Sequence, residues 1–80
     1  AYTPERAYMQ QYYLLNGRVK EFKRNMDDYR KNDRTKYNIL THSQEYRNYQ
    51  EAERLVKKQK ENPTTADVQA LINANKQWIK

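Results

Sequence analysis

The stretch AYMQQYYLLNGRVKEFKRNMDDY, residues 7–29, decides the fold of this chain. Its large apolar residues follow one another at spacings of four, three, four, three, four and three positions. This rhythm is typical of an α-helix that packs along one side. We call this set the apolar seam, and its members are Tyr8, Tyr12, Leu15, Val19, Phe22, Met26 and Tyr29.

The Asn16-Gly17 dipeptide inside this stretch raises the alternative of a turn. Asn-Gly is a strong turn signal between two alternating strands, but here the flanking residues do not alternate and the rhythm keeps its phase. Gly17 lies opposite the apolar seam, where it costs about 1 kcal/mol relative to alanine without ending the helix. We therefore predict one long N-terminal amphipathic helix over about residues 4–31, capped by Thr3 and starting at Pro4.

A second helical segment follows a polar interruption. The stretch KNDRTK (31–36) loses the apolar rhythm, which predicts a loop there. The second helix is predicted to start between Thr35 and Ser43 and to cover about residues 38–61. Its apolar positions keep helical spacing but are weaker than those of the first helix.

A third and shorter helix completes the chain. The stretch ENPTTADV (61–68) is a clear break, because Pro63 cannot continue a helix. A short C-terminal helix is predicted over about residues 64–79. The sequence thus predicts an all-α fold, a single small domain over residues 1–80, arranged as a helical hairpin or more extended.

The composition describes a small, basic chain with little aliphatic material. Leu, Ile, Val and Phe together supply twelve of the eighty residues, and the net charge is +6. Such a chain resembles a disordered one by these measures, but eight tyrosines and a single glycine argue for order. A core this small favours a chain that is held by a partner.

Targeting signals are weak or absent in the sequence. No apolar run approaches the roughly 20 residues that a membrane-spanning helix needs. The first residues show no signal-peptide pattern. We expect no membrane span, and an intracellular or organellar location rather than secretion.

The residue types needed for catalysis are scarce. His42 is the single histidine and cysteine is absent, so His- and Cys-based metal sites lack ligands. One glycine excludes glycine-rich phosphate-binding loops. Asp27 and Asp28 are adjacent on the first helix and point about 100° apart, so they do not converge on one substrate bond. We expect no enzyme and no catalytic, metal or cofactor-binding residues.

The apolar seam is the feature that best indicates a role. It is either the chain's own core, covered by the second helix, or a surface that faces a partner. Tyrosine is enriched at protein interfaces because it suits a half-apolar, half-wet environment. We predict that the apolar seam forms a partner interface, with Trp78 and Ile79 near the C-terminus as a second anchor. A homodimer through the first helix is compatible with this prediction.

The basic residues form a second candidate surface. Basic side chains with interleaved aromatics can contact phosphates and stack on bases. The candidates for contact with nucleic acid or an acidic partner are Lys20, Arg24, Lys31, Lys57, Lys58 and Lys60.

Acidic residues are interspersed among these basic residues at helical pairing distance, which favours a solvated face. The expected i,i+4 pairs are Arg24–Asp28, Asp27–Lys31, Arg47–Glu51, Glu53–Lys57 and Lys57–Glu61.

Two hypotheses follow from these observations. The first is a non-catalytic structural or accessory subunit, held by the apolar seam among other protein subunits of a larger assembly. The alternative is a small basic helical protein that binds DNA or RNA. The sequence shows neither a helix-turn-helix pattern nor a leucine-zipper basic region, so the first hypothesis is favoured.

Overall fold

The computed structural model describes residues 3–78, and this range is helical apart from short connections. Its elements are α1 (Pro4–Asn32), α2 (Arg34–Thr41), α3 (Gln44–Glu61), a single 3-10 turn (Thr65–Asp67) and α4 (Val68–Lys76). No strand occurs in the described range. The predicted all-α fold with a long first helix is therefore confirmed.

Helix α1 runs without a break through the Asn16-Gly17 dipeptide. At its start, the Thr3 hydroxyl oxygen accepts a hydrogen bond from the Arg6 backbone N–H at 3.2 Å, and Pro4 follows as the first helical residue. A Cβ added to Gly17 would meet no atom within 4 Å. Packing within the chain therefore does not require a glycine at this position.

The loop predicted over residues 31–36 is reduced to one residue, Asp33. Its backbone N–H donates to the Tyr29 carbonyl at 2.7 Å, and its carboxylate accepts from the Lys36 backbone N–H at 3.1 Å. One aspartate thus ends α1 and caps α2. Since helix ends are stabilised when their unpaired backbone groups find partners, a longer loop is unnecessary.

The other predicted boundaries also shift. The second helix expected over about residues 38–61 is divided into α2 and α3 by His42 and Ser43, and the Ser43 hydroxyl caps α3. The third helix expected over about 64–79 starts as a 3-10 turn, capped by the Thr64 hydroxyl, and continues as α4. A side-chain cap thus starts a new helical segment after each of these breaks.

Helix α3 folds back along α1 in the opposite direction. Tyr8, near the start of α1, hydrogen-bonds to Gln59 near the end of α3, while Phe22 stacks on Tyr49 early in α3 with ring centroids 4.7 Å apart. Helix α4 then returns along α1, and α2 packs against the end of α1. The arrangement is hairpin-like.

The molecule is elongated, with extents of 46 × 26 × 17 Å and a radius of gyration of 14.0 Å. A compact domain of this length would have a radius of gyration of about 12 Å. The long dimension is close to the roughly 44 Å expected for a helix of the length of α1. Helix α1 therefore sets the length of the molecule.

The core lies between α1, α3 and α4. Half-buried aromatic and aliphatic side chains surround it, among them Phe22, which also meets Trp78 edge-on with centroids 5.4 Å apart. The buried apolar residues are Tyr8, Leu15, Val19, Tyr49, Ala52, Val56 and Leu71. Three of these seven residues come from the apolar seam.

Candidate functional site

The apolar seam divides into a covered and a partly open half. Tyr8, Leu15 and Val19 are buried within the chain's own core. Tyr12 lies half-buried beside Tyr8, with the two rings stacked and their centroids 6.1 Å apart. The first half of the apolar seam therefore contributes chiefly to the fold.

Phe22 and Tyr29, in the second half of the apolar seam, line an open cleft. Phe22, Met26 and Tyr29 are half-buried against the core or against α2. A cleft of about 390 Å³ opens between α1 and α2, and we call it the α1–α2 cleft. Its lining residues are Phe22, Asn25, Tyr29, Lys36, Ile39, Leu40, Ser43 and Glu45.

The one-residue connection at Asp33 produces this cleft. It sends α2 back against α1, so that Lys36 meets Tyr29 across the break. Helix α2 has only eight residues, which is about 12 Å of helix. It therefore covers the end of the apolar seam incompletely and leaves one side of Phe22 and Tyr29 open to the cleft.

Ile39 is the most exposed large apolar side chain of the described range, at 69% exposure. A single exposed aliphatic residue is normal on a protein surface. Ile39, however, lines the α1–α2 cleft together with the half-buried Leu40, Phe22 and Tyr29. Exposed apolar groups that are grouped around a cleft are typical of binding sites.

One cation and one acid line the cleft, at its two ends. The Lys36 Nζ lies over the Tyr29 ring, 4.6 Å from the centroid. Of the four Lys/Arg in residues 29–41, Lys36 alone lines the cleft, and the Asp33 carboxylate caps α2. Glu45 lines the opposite end, where α3 begins.

A smaller pocket of about 190 Å³ adjoins the cleft through Phe22 and Glu45. Its wall includes Trp78, which is half-buried and whose indole N–H has no hydrogen-bond partner among the residues described. Trp78 therefore packs on the chain's own Phe22 while one side faces the pocket. Ile79, the other residue of the predicted second anchor, lies outside the described residues.

The six basic candidates fall into two separate groups, one on α1 and one on α3. Lys20, Arg24 and Lys31 are exposed on the same side of α1 as Gly17, which is the side turned away from the core. Tyr13 shares this side and is 61% exposed. Tyr8, Leu15 and Val19 are buried within the chain and are not available to a homodimer through α1.

The basic residues of α3 lie apart from those of α1. Lys57 and Lys60 are exposed near the end of α3. Lys58 forms an ion pair with Asp67 at 3.3 Å, with 61% and 24% of the two side chains exposed. It therefore contributes to the junction between α3 and the 3-10 turn.

The predicted i,i+4 ion pairs are wrong, since none of the five forms. Asp27 pairs instead with Arg30 at 3.8 Å. Glu53 accepts a hydrogen bond from the Tyr49 hydroxyl at 2.7 Å. Burial, together with this bond, raises the pKa of the Tyr49 phenol.

A buried polar cluster at the other end of the molecule was not anticipated from the sequence. The Gln59 side chain is 1% exposed, and its carbonyl accepts from the Tyr8 hydroxyl at 2.8 Å and from the Thr64 backbone N–H at 3.1 Å. Its amide donates to the Asp67 carboxylate at 2.7 Å. The signal in the sequence was a polar residue in phase with Ala52 and Val56 on the apolar side of α3.

These contacts perturb two titratable groups. Burial raises the pKa of the Tyr8 phenol. The hydrogen bond from Gln59 and the ion pair with Lys58 lower the pKa of the Asp67 carboxyl. The cluster holds three segments together and is internal, so it has the character of a structural junction.

A second buried amide joins α4 to α1. Asn75 donates from its side-chain nitrogen to the Gln11 carbonyl at 3.1 Å and to the Gln11 side-chain oxygen at 2.8 Å. Its own side-chain oxygen is buried without a partner among residues 3–78. Like Gln59, Asn75 lies in phase with apolar positions, here Leu71 and Val68, so the same signal marks it.

Three further observations bear on function. Within residues 3–78, no three His, Asp or Glu side chains are grouped so that they could hold a metal ion. No helix of that range combines the length and apolar character needed to cross a membrane. Comparison of the chain with protein-family models, curated proteins and solved structures finds no match.

Proposed function

We propose that this protein is a non-catalytic accessory subunit, which binds another protein of a larger assembly through the α1–α2 cleft. The observation that supports this is the exposed Ile39 beside the half-buried Phe22, Tyr29 and Leu40 around an open cleft. The proposal retains the second half of the apolar seam as a partner interface. The first half is assigned to the core.

We propose that a helix of the partner lies in the cleft. Phe22 and Tyr29 are seven residues apart on α1, which is about 10 Å, or two helical turns. The α1 wall thus presents side chains at helical spacing, and α2 supplies a second wall. An apolar side chain of a helix lying in such a groove would be removed from water by both walls, which is a common mode of recognition.

The proposal is tested by changing Ile39 alone. We expect Ile39→Asp to leave helicity and thermal stability close to those of the unchanged chain, because this side chain is mostly in water. We expect the variant to be lost from the heavy fractions when the native assembly is sedimented at moderate salt. A charge in a desolvated apolar contact is strongly unfavourable.

Leu14→Asp is the matched control. Leu14 is also an exposed aliphatic residue, at 46% exposure, but it does not line the cleft. We expect it to remain with the assembly. Sedimentation of Ile39→Asp with the assembly as fully as the unchanged chain would refute the proposal.

The alternative function, binding of nucleic acid, is favoured by the outer side of α1. Lys20 and Arg24 share this side with the exposed Tyr13. If nucleic acid binds there, Lys20→Gln with Arg24→Gln should flatten the salt dependence of affinity for a DNA or RNA duplex. The control is the double variant Lys57→Gln/Lys60→Gln, which changes two basic residues of α3. If nucleic acid holds the protein, nuclease should also release it from its assembly.

A further inference from the structure

We propose that Asn16-Gly17 is a site of spontaneous deamidation, which helix α1 protects as long as the chain is folded. In this reaction the backbone nitrogen of the residue after an asparagine attacks the carbon of the side-chain amide. Both reacting groups belong to the chain, and water is the only other reactant. This site is independent of the α1–α2 cleft and of its partner.

The reaction has two steps. The Gly17 nitrogen loses its proton and forms a bond to Cγ of Asn16, while the bond from Cγ to the side-chain nitrogen breaks and ammonia leaves with that proton. Water then opens the resulting imide ring at either of its two carbonyl carbons. One opening gives aspartate at position 16. The other gives isoaspartate, in which the backbone runs through the former side-chain carbonyl.

The sequence singles out Asn16 for this reaction. The chain contains eight asparagines, and Asn16 alone is followed by glycine. A glycine nitrogen is the least hindered nucleophile because its residue has no Cβ. Packing does not require Gly17, since a Cβ there would meet no atom within 4 Å. Asn62, just after α3, is followed by Pro63, whose nitrogen has no proton to lose.

Helix α1 prevents the reaction in two ways. Because α1 is continuous over Pro4–Asn32, the Gly17 N–H is directed at the Tyr13 carbonyl, as the hydrogen-bond pattern of an α-helix requires. The proton that must be lost is therefore held in a hydrogen bond. Asn16 must also leave the helical ψ before the Gly17 nitrogen can reach its Cγ. Both conditions require α1 to open near its centre.

Opening at this point disrupts the core, because Asn16 lies next to core positions. Leu15 is fully buried, and Val19, one turn further along α1, is buried as well. Unwinding α1 at Asn16 takes both side chains out of the core, and core elements open only at a large part of the free energy of global unfolding. We expect folding to slow the deamidation of Asn16 by about a hundredfold or more.

The isoaspartyl product makes this opening irreversible. It inserts an additional carbon atom into the backbone, so the hydrogen-bond register of α1 is lost between Leu15 and Val19. These two side chains can then no longer enter the core together. A chain that stays open is thereby withdrawn from the folded population, while a folded chain is spared.

The test compares the purified full chain at neutral pH in buffer and in concentrated urea. Peptides are analysed by mass spectrometry, and isoaspartate is labelled with an isoaspartyl methyltransferase. We expect Asn16 to convert in urea and to remain intact in buffer over the same time. The internal control is Asn38, which is exposed but is followed by the branched Ile39, and which should react far more slowly in urea.

Gly17→Ala is the matched variant. It is compared with the unchanged chain in urea, where folding does not contribute. We expect the conversion of Asn16 to slow by about tenfold or more, because a Cβ hinders the attacking nitrogen. Conversion at equal rates in buffer and in urea would overturn the protection by α1. Conversion of Asn16 in urea no faster than that of Asn38 would overturn the site itself.

Refolding tests the consequence for the fold. The isoaspartyl chain formed in urea is separated by chromatography, transferred to buffer and unfolded again with urea, followed by circular dichroism. We expect it to lack the cooperative transition of the unchanged chain. Asn16→Asp is the control, because it adds the same charge without lengthening the backbone, and it should unfold cooperatively. An isoaspartyl chain with the urea midpoint of the unchanged chain would overturn the irreversible step.

Discussion

Replacing Gln59 by methionine would remove the hydrogen bonds of the buried cluster while keeping the side-chain size. Methionine is also unbranched and of similar length, so the change creates little empty space. The Tyr8 hydroxyl would lose its acceptor at 2.8 Å, and the Thr64 backbone N–H would lose its acceptor at 3.1 Å. Asp67 would lose the amide donor but keep Lys58 at 3.3 Å.

The magnitude follows from which of these groups water can reach. A buried donor left without a partner costs about 1–3 kcal/mol, and this applies fully to the Tyr8 hydroxyl. Thr64 and Asp67 are half-buried, so water compensates them in part. The sum is about 2–4 kcal/mol, against about 4–12 kcal/mol for the stability of an 80-residue domain.

Urea unfolding followed by circular dichroism would measure this change. We expect the midpoint to fall with an unchanged slope, and the melting temperature to fall on the order of 10–30 °C. Tyr8→Phe alone should cost only about 0.5–1.5 kcal/mol, because Gln59 keeps Thr64 as a donor. The double variant Tyr8→Phe/Gln59→Met should regain about 1 kcal/mol or more over Gln59→Met, since no hydroxyl is stranded. A neutral Gln59→Met, or a double variant with strictly additive losses, would refute this account.

Three further predictions concern the same fold. Gly17→Ala should raise the free energy of unfolding by about 0.8–1 kcal/mol, because a Cβ there meets no atom within 4 Å; a loss of stability in urea would contradict the open environment of Gly17. Because the pKa of Asp67 is lowered in the folded chain, its contribution to stability is present above the ordinary carboxyl pKa of about 3.9 and is lost as the pH falls further. Asp67→Asn should therefore be less stable than the unchanged chain at neutral pH, and the difference in free energy of unfolding should shrink in acid. A difference that does not depend on pH would count against the Lys58 and Gln59 contacts. Because the phenol pKa values of Tyr8 and Tyr49 are raised, stability should fall with pH above about 10. A pH titration followed by absorbance at 295 nm should show that some tyrosines ionise later than the rest, and that this late fraction shrinks in Tyr8→Phe and in Tyr49→Phe. Ionisation of all tyrosines in a single transition near pH 10 would refute the raised pKa values.

The sequence was sufficient to predict α1 because two independent signals agreed there. The apolar rhythm kept its phase across Gly17, and Thr3-Pro4 gave a specific start. The side of α1 that is buried was also predicted, since Tyr8, Leu15 and Val19 of the apolar seam lie in the core. What the rhythm could not decide was whether a given part of the apolar seam meets the chain itself or a partner. That depends on where α2, α3 and α4 lie.

The candidate site was harder to predict, because it depends on a single connecting residue. A polar stretch such as residues 31–36 is compatible with either a loop or two abutting helix ends, and the caps formed by Asp33 decide between them. Ile39 was overlooked because the second helix was placed without a break, whereas α2 is a separate helix that brings Ile39 to the cleft. Gln59 was overlooked because polar residues were assigned to the outside.

The distances along the chain between contacting residues have a consequence for synthesis. Tyr8 meets Gln59 across 51 positions, and Gln11 meets Asn75 across 64. Helix α1 is therefore translated well before the segments that bury it, and its tyrosine-rich side remains uncovered on the nascent chain until α3 and α4 have emerged. During this interval the chain is exposed to aggregation and to chaperones. The completed fold then buries Tyr8, Leu15 and Val19 and leaves the other residues of the apolar seam partly accessible.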